Sequence, residues 1–324
     1  MLLSVNDLTV TVPGTARPLL DSVTLHVAEG EVVGLVGESG SGKSTTAKAA
    51  LGLLPAHATT TGSVRVSGTD VLALTGEELR RHRSTTVAMI HQDPRAALNP
   101  VRRIGDFLTE RGATKEEAAG LLAAVGLPDP ARRLRQRPHE LSGGMLQRVV
   151  IAGALAARPR LLLADEATSA LDVTTQAEIL TQLREARATQ GAGLLFITHD
   201  LHLAAAYCDR VYVMYAGRVV EQRTAKALFT APAHPYTRGL LSCSPTLGET
   251  RTLTPIPGRP PSLSDAFDGC PFVSRCGDAE DACGTWRPEP HGLDDGGEVA
   301  CRRARASAGP PPVRRNEKEG ASPK

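Results

Sequence analysis

The sequence predicts an α/β fold whose core is a mainly parallel sheet, and three observations support this. Short apolar runs of buried-strand type alternate with helical segments as far as about residue 235. A glycine-rich loop at Gly37–Ser44 joins one such strand to a helix. A mostly helical stretch at about 95–158 is inserted between two of the strands. Strands that alternate with helices imply parallel pairing through crossover connections, so the sheet should form the centre of the molecule.

The composition is that of an ordinary globular protein. With 324 residues, of which 41% are hydrophobic and 22% charged, the chain can form one large domain with an appendage, or two domains. Its net charge of +2 gives no indication of a nucleic-acid partner. Apolar stretches such as Val149–Ala157 are too short to cross a bilayer, and Met1–Leu3 does not open a signal peptide. We therefore expect a cytoplasmic chain that reaches a membrane only through partners.

The elements can be placed in order along the chain. Alternating strands at Leu8–Val12 and Val23–Val27 precede the apolar strand Glu31–Val36, and a helix is predicted at Thr45–Leu54. Further strands are predicted at Gly62–Val66, Thr86–Ile90, Leu161–Glu166 and Leu194–Thr198, with helices at Thr75–His82 and Thr174–Gln190. A closing hairpin is predicted from Val211–Met214 and Arg218–Glu221, which are joined across Gly217.

The glycine-rich loop has the spacing G-x-x-x-x-G-K-S of a phosphate-binding loop. Its glycines let successive backbone N–H groups point inward at phosphate oxygens, and the following helix turns its positive N-terminus to the same place. Lys43 can reach the β- and γ-phosphates, and the Ser44 hydroxyl can ligate Mg²⁺. An ordinary glycine-rich turn is the alternative, which the flanking strand and helix disfavour. The predicted nucleotide-binding residues are Gly37, Glu38, Ser39, Gly40, Ser41, Gly42, Lys43, Ser44 and Thr45.

Polar residues follow three of the other predicted strands. Gln92 comes after the strand Thr86–Ile90, Asp165 and Glu166 end the strand Leu161–Glu166, and His199 follows Leu194–Thr198. A carboxylate at the position of Asp165 can hold Mg²⁺ and its waters against the phosphates. The alternative, a buried structural carboxylate, is disfavoured by the cost of burying an unpaired charge. Taken alone, a histidine after a strand is more often structural.

A further anion site is indicated at Leu141–Met145, which opens a helix that ends before Pro159. Gly143 and Gly144 at this helix start expose backbone N–H groups. The chain already has one phosphate loop for its own nucleotide, so a second anion site needs another explanation.

In their order along the chain, the phosphate loop, Gln92, Leu141–Met145, Leu161–Glu166 and His199 resemble the ATPase subunit of an ABC transporter. The resemblance implies the P-loop NTPase fold of ABC type, with an antiparallel β subdomain and an inserted helical subdomain beside the parallel core. It implies that ATP and Mg²⁺ are bound, that Ser44, Gln92 and Asp165 serve the metal, and that Lys43 contacts the phosphates. It also implies that Glu166 polarises the attacking water, that His199 contacts the γ-phosphate, and that Gln92 signals toward membrane subunits.

The resemblance also explains the second anion site. Two subunits of this family face head to tail, and each presents Ser142, Gly143 and Gly144 to the other's ATP. Met145 stands where many members have glutamine, and Gln147 follows two places later. By this resemblance Gln147 also belongs to the predicted nucleotide site. The stretch Ser169-Ala170-Leu171-Asp172 resembles the family's dimer-contact loop, which adds Asp172 to that site.

One departure from the family concerns adenine. Members usually place an aromatic residue upstream of the phosphate loop, but Val10–Leu20 contains no Phe, Tyr or Trp. Adenine must then be held more weakly, or by Val12 or Arg17. The preference for ATP over GTP therefore rests on the resemblance and not on this segment.

Other stretches resemble the oligopeptide, dipeptide and nickel importer branch of the family. They are Gln92-Asp93-Pro94 with Leu98-Asn99-Pro100, His234-Pro235-Tyr236-Thr237, Pro257-Gly258-Arg259-Pro260-Pro261, and Gly269-Cys270-Pro271-Phe272 with Arg275-Cys276. The implied domains are an ABC ATPase domain at 1–235, with its helical subdomain at about 95–158, and an importer-type C-terminal extension at 236–304. The polar, proline-rich tail 305–324 should be disordered.

Four of the six cysteines, Cys270, Cys276, Cys283 and Cys301, crowd the C-terminal extension. In a reducing compartment such a cluster indicates a metal or redox site before it indicates disulfides. Four thiolates suit Zn²⁺ or an iron–sulfur cluster, and the lack of a C-x₂-C pair argues against a zinc ribbon. Branch members resembling this chain carry a [4Fe–4S] cluster here, so the resemblance favours the cluster. Zn²⁺ is the alternative. The third possibility is that the four thiols are buried or unreactive and bind no metal.

The resemblance as a whole implies an ATP-hydrolysing motor subunit of an importer for peptides or a related solute. Its partners would be two transmembrane permease subunits, a second, paralogous ATPase subunit and, indirectly, an extracytoplasmic solute-binding protein. It would lie at the cytoplasmic face of the cell membrane and bind no nucleic acid. A drug or antibiotic exporter is the first alternative. A soluble ABC ATPase acting on ribosomes or DNA is less favoured, because such proteins usually carry two cassettes or a long coiled-coil insert.

Overall fold

The computed structural model describes residues 1–167, 176–181, 183–184, 191–243 and 254–304. The strands in these ranges are β1 (Leu3–Thr11), β2 (Leu20–Val27), β3 (Val32–Val36), β4 (Thr59–Val66), β5 (Thr69–Asp70), β6 (Val87–Ile90), β7 (Leu161–Asp165), β8 (Gly193–Thr198), β9 (Arg210–Tyr215), β10 (Arg218–Thr224), β11 (His291–Gly292) and β12 (Glu298–Val299).

The α-helices of the same ranges are α1 (Lys43–Ala49), α2 (Gly76–Arg81), α3 (Pro94–Ala97), α4 (Ile104–Glu110), α5 (Lys115–Ala124), α6 (Pro130–Arg133) and α7 (Gly143–Ala156), followed by Leu201–Tyr207, Ala225–Thr230 and Pro235–Cys243. Residues 176–181 and 183–184 are helical as well. Single 3₁₀ turns occur at Val71–Ala73, Pro138–Glu140, Val273–Arg275 and Asp281–Gly284, and a π turn at His82–Thr86. No helix in the described ranges is both long and apolar enough to span a membrane.

The larger sheet has the strand order β11-β12-β10-β9-β3-β8-β7-β6. Strands β9, β3, β8, β7 and β6 pair in parallel, whereas β10 and the two short strands beyond it pair antiparallel. Every residue of β3, β7 and β8 is buried, because helices or the smaller sheet cover both faces. This explains why the three strands appear in the sequence as continuous apolar runs. The prediction of a mainly parallel core is confirmed.

The smaller sheet has the order β2-β1-β4-β5 and pairs antiparallel throughout, as expected for the β subdomain. Alternate residues of β1, namely Leu3, Val5, Leu8 and Val10, are buried. They share one hydrophobic core with α1 and with Val33 and Leu35 of β3. The smaller sheet therefore covers one face of the larger sheet.

The helical segment covers the other face. Val32 and Val36 of β3 belong to a second core that includes Leu108 of α4, Leu122 of α5 and Val149 of α7. Helix α7 is buried along almost its whole length after the first turn. At its Gly153, an added Cβ would lie 2.4 Å from the Phe107 ring of α4, so a larger residue would displace that ring. The inserted helical region is thus joined to the sheet by a continuous core.

The C-terminal extension is joined to the body of the molecule through backbone hydrogen bonds to both sheet regions. Strand β12 pairs with β10, with Glu221 opposite Val299, so the extension lengthens the larger sheet. Next to the smaller sheet, the Ala16 backbone N–H donates to the Leu263 carbonyl at 2.9 Å. The predicted domain boundary near residue 235 therefore separates segments that pack on each other.

Some predicted element bounds are wrong. The helix after the phosphate loop runs over Lys43–Ala49 and not Thr45–Leu54, because the chain turns at Gly52, whose φ is +63°. The Thr75–His82 helix is Gly76–Arg81, followed by the π turn. Most of the helix predicted at Thr174–Gln190 and the whole tail 305–324 lie outside the described residues.

Candidate nucleotide-binding site

The phosphate loop leaves the carboxyl end of β3 and enters α1 at Lys43. Gly37, Gly40 and Gly42 have positive φ values of 150°, 77° and 106°. At Gly37 an added Cβ would lie 2.2 Å from the Met214 carbonyl oxygen of the neighbouring strand β9. The loop therefore needs glycine both for its backbone turns and for its close contact with the sheet.

The Lys43 side chain is folded back into this loop. Its ammonium donates to the carbonyls of Gly37, at 2.7 Å, and Glu38, at 2.9 Å. Burial lowers the pKa of Lys43, and the carboxylates of Glu166 and Asp165 oppose that shift. A buried cation is therefore held at the centre of the loop, where an anion could replace the carbonyls as its partner.

Asp165, at the end of β7, faces the first turn of α1. The Ser44 hydroxyl donates to its Oδ1 at 3.1 Å, and the carboxylate is buried. Burial raises the pKa of Asp165, while the Ser44 hydrogen bond acts in the opposite direction. Two oxygen donors thus meet beside the phosphate loop, which fits the ligands that Mg²⁺ takes from proteins.

Glu166 stands at the centre of a second group. Its Oε2 accepts from Gln92 Nε2 at 2.9 Å, and its Oε1 lies 3.3 Å from His199 Nδ1. The residue has a φ of +47°, uncommon for a side chain of this type, and its N–H donates to the Ile197 carbonyl at 3.0 Å. The ends of β6, β7 and β8 therefore bring three predicted catalytic side chains to one edge of the sheet.

The segment that opens α7 is exposed at its start. Ser142 caps the helix by accepting from the Met145 N–H at 3.4 Å, and Ser142 and Gly143 are exposed. Gln147 differs from them, since it is 1% exposed and its amide donates to the His91 carbonyl at 3.4 Å. The structure thus does not bring Gln147 to the surface formed by Ser142 and Gly143.

Asp172, the last predicted nucleotide contact, lies outside the described residues, as does the whole Ser169–Asp172 loop. The roles assigned to Gly144, Gln147 and Asp172 at a second subunit's ATP stay predictions.

Arg17 was one of the two candidates for holding adenine, and its guanidinium is already bound. It is buried and donates to the carbonyls of Ser262, at 3.0 Å, and Ala216, at 2.9 Å. Val12, the other candidate, is half-buried. Of the two, only Val12 presents a side chain that is not committed to backbone partners.

A contact between the phosphate loop and the C-terminal extension is not predicted by the sequence. Arg275 donates from Nη1 and Nη2 to the two carboxylate oxygens of Glu38, at 2.7 and 2.9 Å. The Glu38 N–H donates to the Tyr236 hydroxyl at 2.8 Å. A carboxylate within a loop that binds phosphates is the one signal that could have suggested a cationic partner, but nothing local in the sequence identifies Arg275 as that partner.

The four clustered cysteines line one cavity together with His234 and Trp286. Burial raises the pKa of Cys270 to about 11 and also raises the pKa of Cys276 and Cys301. In the described part of the chain, no group of three or more His, Cys, Asp or Glu side chains is arranged to hold a metal ion. The structure therefore groups the thiols as predicted but does not show ligand geometry for a [4Fe–4S] cluster or Zn²⁺.

Comparisons with known families give two matches. The family model described as "ABC transporter" matches residues 20–169, and the one described as "Oligopeptide/dipeptide transporter, C-terminal region" matches residues 220–283. Among solved structures, a dimeric bacterial ABC transporter cassette superposes with a TM-score of 0.62 at 27% identity, covering 69% of this chain and 98% of that one. A post-hydrolysis state of an ATP-binding cassette bound to ADP and Pi has a TM-score of 0.60 at 28% identity, with the same coverage.

Curated relatives extend the match to most of the chain. The oligopeptide transport ATP-binding protein OppD of Escherichia coli is 44% identical over 89% of this chain and 89% of its own length. The protein of the same name from Mycobacterium tuberculosis is 45% identical over 95% of this chain, which spans only 53% of that relative. The dipeptide transport ATP-binding protein DppD of Bacillus subtilis is 43% identical over 85% of this chain and 86% of its own length. The chain therefore belongs to the family of ABC transporter ATP-binding proteins.

Proposed function

We propose that the chain is the ATP-binding and ATP-hydrolysing motor subunit of an importer for oligopeptides, dipeptides or a related solute. The observation that supports hydrolysis most directly is the position of Glu166. Its carboxylate lies between Gln92 and His199 and follows directly on Asp165, which contacts Ser44 of α1. The peptide part of the proposal rests on the relatives' names and on the match at 220–283.

Each side chain has a role in this proposal. The loop N–H groups and Lys43 would bind the β- and γ-phosphates, and Asp165, Ser44 and Gln92 would hold Mg²⁺, which when bound would offset phosphate charge. Glu166 accepts a proton from the water that attacks the γ-phosphorus, as the bond from that phosphorus to the β-phosphate oxygen breaks and ADP leaves. His199 contacts the γ-phosphate and is held beside Glu166.

The proposed assembly contains two ATPase subunits in head-to-tail contact. Ser142, Gly143 and Gly144 of each subunit, with Asp172, would complete the partner's ATP site, whereas the buried Gln147 would take no direct part. Two permease subunits would receive the motion at the cytoplasmic face of the membrane, and a solute-binding protein would deliver peptide from outside. ATP drives the cycle if it binds the closed pair more tightly than the open pair.

The proposal is tested by recovering the chain from its native membranes. The tagged chain is extracted in mild detergent, and the proteins that come with it are identified by mass spectrometry. We expect two multi-span permeases and a second ATPase. Recovery with ribosomes or nucleic acid, and without any membrane protein, would contradict the transporter assignment. If the recovered permeases are encoded without an accompanying solute-binding protein, the alternative assignment as an exporter is favoured.

We further propose that Cys270, Cys276, Cys283 and Cys301 bind a [4Fe–4S] cluster, with Zn²⁺ as the alternative. Support comes from the four thiols that line one cavity, since thiolate sulfur is the ligand these metals prefer. We expect the chain purified without oxygen to contain iron and acid-labile sulfide in equal amounts, and Cys276→Ser to lose both.

The matched control for this test is Cys243→Ser, because Cys243 does not line the cavity. It should keep the iron and sulfide of the unaltered chain. Zinc in place of iron would select the alternative, and a chain free of both metals would show that the thiols have no metal role.

A further inference from the structure

The contact between Glu38 and Arg275 raises an electrostatic question. Glu38 is the second residue of a loop that has to bind a polyanion, and an unpaired carboxylate there would repel the phosphates. Lys43 does not neutralise this carboxylate directly, because its ammonium binds the backbone carbonyls of Gly37 and Glu38. The side chain of Glu38 is 23% exposed, so water screens its charge only in part.

Arg275 supplies the missing cation from the far end of the chain. Its side chain is 4% exposed and forms the bidentate pair with Glu38. The planar guanidinium matches a carboxylate in two parallel hydrogen bonds, which fixes the orientation of both groups.

The guanidinium itself is held by other residues. Arg275 Nε donates to the Pro257 carbonyl at 2.8 Å, and Nη1 lies 3.3 Å from the Tyr215 hydroxyl, to which it donates. The guanidinium carbon also lies 5.8 Å from the centroid of the Tyr215 ring. Arg275 is therefore fixed before any nucleotide arrives, so no ordering of this side chain opposes binding.

We propose that Arg275 is a positioning residue of the ATP site, which neutralises Glu38 and sets the first turn of the phosphate loop so that the loop accepts a triphosphate. The inference rests on the proposed function, because it concerns how the same site binds ATP. It assigns to the C-terminal extension a direct part in nucleotide affinity.

The proposal predicts a defect that depends on the charge of the nucleotide. Arg275→Gln leaves the Glu38 carboxylate without its cation, so ATP affinity should fall by about tenfold. ADP carries one negative charge fewer than ATP, so the affinity of the variant for ADP should fall less, by about threefold. A higher salt concentration should reduce the difference between the losses of ATP and ADP affinity, since the partly exposed Glu38 carboxylate is then screened more strongly. A substitution that only destabilised the fold would weaken the binding of ATP and of ADP equally.

The experiment measures the dissociation constants of ATP and ADP by equilibrium titration of the full-length chain, for Arg275→Gln, Glu38→Gln and the double variant. In the double variant no carboxylate remains to repel the phosphates, so ATP affinity should return to within about threefold of the unaltered chain. Glu38→Gln alone leaves Arg275 near the loop without its counter-charge and should bind ATP at least as tightly as the unaltered chain.

Arg210→Gln is the matched control, because Arg210 forms a similar bidentate pair with Glu31 at the opposite end of β3. It should leave both dissociation constants unchanged. Equal losses for ATP and ADP without recovery in the double variant, or no loss at all, would overturn the proposal. If Arg275→Gln does not fold, a Glu38→Gln variant that binds ATP more weakly overturns it instead. Failure of the unaltered chain to bind ATP would refute the proposed function and, with it, this inference, whereas the outcomes above overturn the inference alone.

Discussion

Replacing Glu166 with glutamine is expected to abolish ATP turnover while ATP binding is retained. Glutamine has the same shape and can still hydrogen-bond to Gln92, but it cannot accept a proton from the attacking water. General-base catalysis typically contributes about 10²–10⁴-fold, so we expect kcat to fall by about 10³-fold. ATP affinity should change by less than about threefold. Phosphate release and equilibrium ATP titration measure the two quantities separately.

A second readout follows from the same variant. Because hydrolysis is what opens the closed pair in the proposed cycle, Glu166→Gln should accumulate ATP-bound dimers on a sizing column. Glu77→Gln on the exposed surface of α2 is the control for the loss of a carboxylate and should behave as the unaltered chain does. Normal turnover by Glu166→Gln would remove Glu166 from its catalytic role.

Replacing Lys43 with alanine should abolish ATP binding at the concentrations at which the unaltered chain is saturated. Its ammonium is the cation inside the phosphate loop, and hydrogen bonds to charged groups contribute about 1.5–3 kcal/mol each. Loss of the two proposed contacts of Lys43, one to the β-phosphate and one to the γ-phosphate, would weaken ATP binding by at least about 100-fold. Equilibrium titration with ATP measures the change directly.

The stability of the Lys43→Ala variant distinguishes loss of a ligand contact from loss of the fold. Burial lowers the pKa of Lys43, whereas the nearby carboxylates and the hydrogen bonds to the Gly37 and Glu38 carbonyls favour its charge. The two effects oppose each other, so we expect the nucleotide-free variant to unfold at about the same temperature as the unaltered chain. Lys226→Ala, at an exposed position on the helix Ala225–Thr230, should alter neither property. Retained ATP affinity in Lys43→Ala would contradict the assignment of the loop.

Much of the site could be predicted because its parts are encoded locally. Gln92, Asp165, Glu166 and His199 each follow a short apolar strand, and the carboxyl ends of parallel strands meet at one edge of a sheet. The short apolar runs in the sequence were therefore enough to predict that these side chains lie at the same edge of the sheet. The hairpin about Gly217 was predicted accurately for the same reason, because each of its two strands is recognisable from its own stretch of sequence.

Contacts between distant segments could not be predicted in this way. The pair Glu38–Arg275 and the hydrogen bonds from Arg17 to the C-terminal extension join residues more than two hundred positions apart, and neither has a pattern in the nearby sequence. The burial of Gln147 was also missed. Its helix begins at the surface with Ser142 but enters the core within its first turns, and helical periodicity does not show where that happens.

The long separation between Glu38 and Arg275 has a consequence for how the chain matures. During synthesis, Arg275 leaves the ribosome 237 residues after its partner Glu38 in the phosphate loop. The smaller sheet and the strands of the larger one can begin to form as they emerge, whereas the loop cannot reach its final charge balance until the extension has docked. A nascent chain therefore carries a nucleotide site that stays incomplete until the segment with Arg275 has been synthesised and has docked. Premature ATP binding by partly synthesised chains is thereby disfavoured.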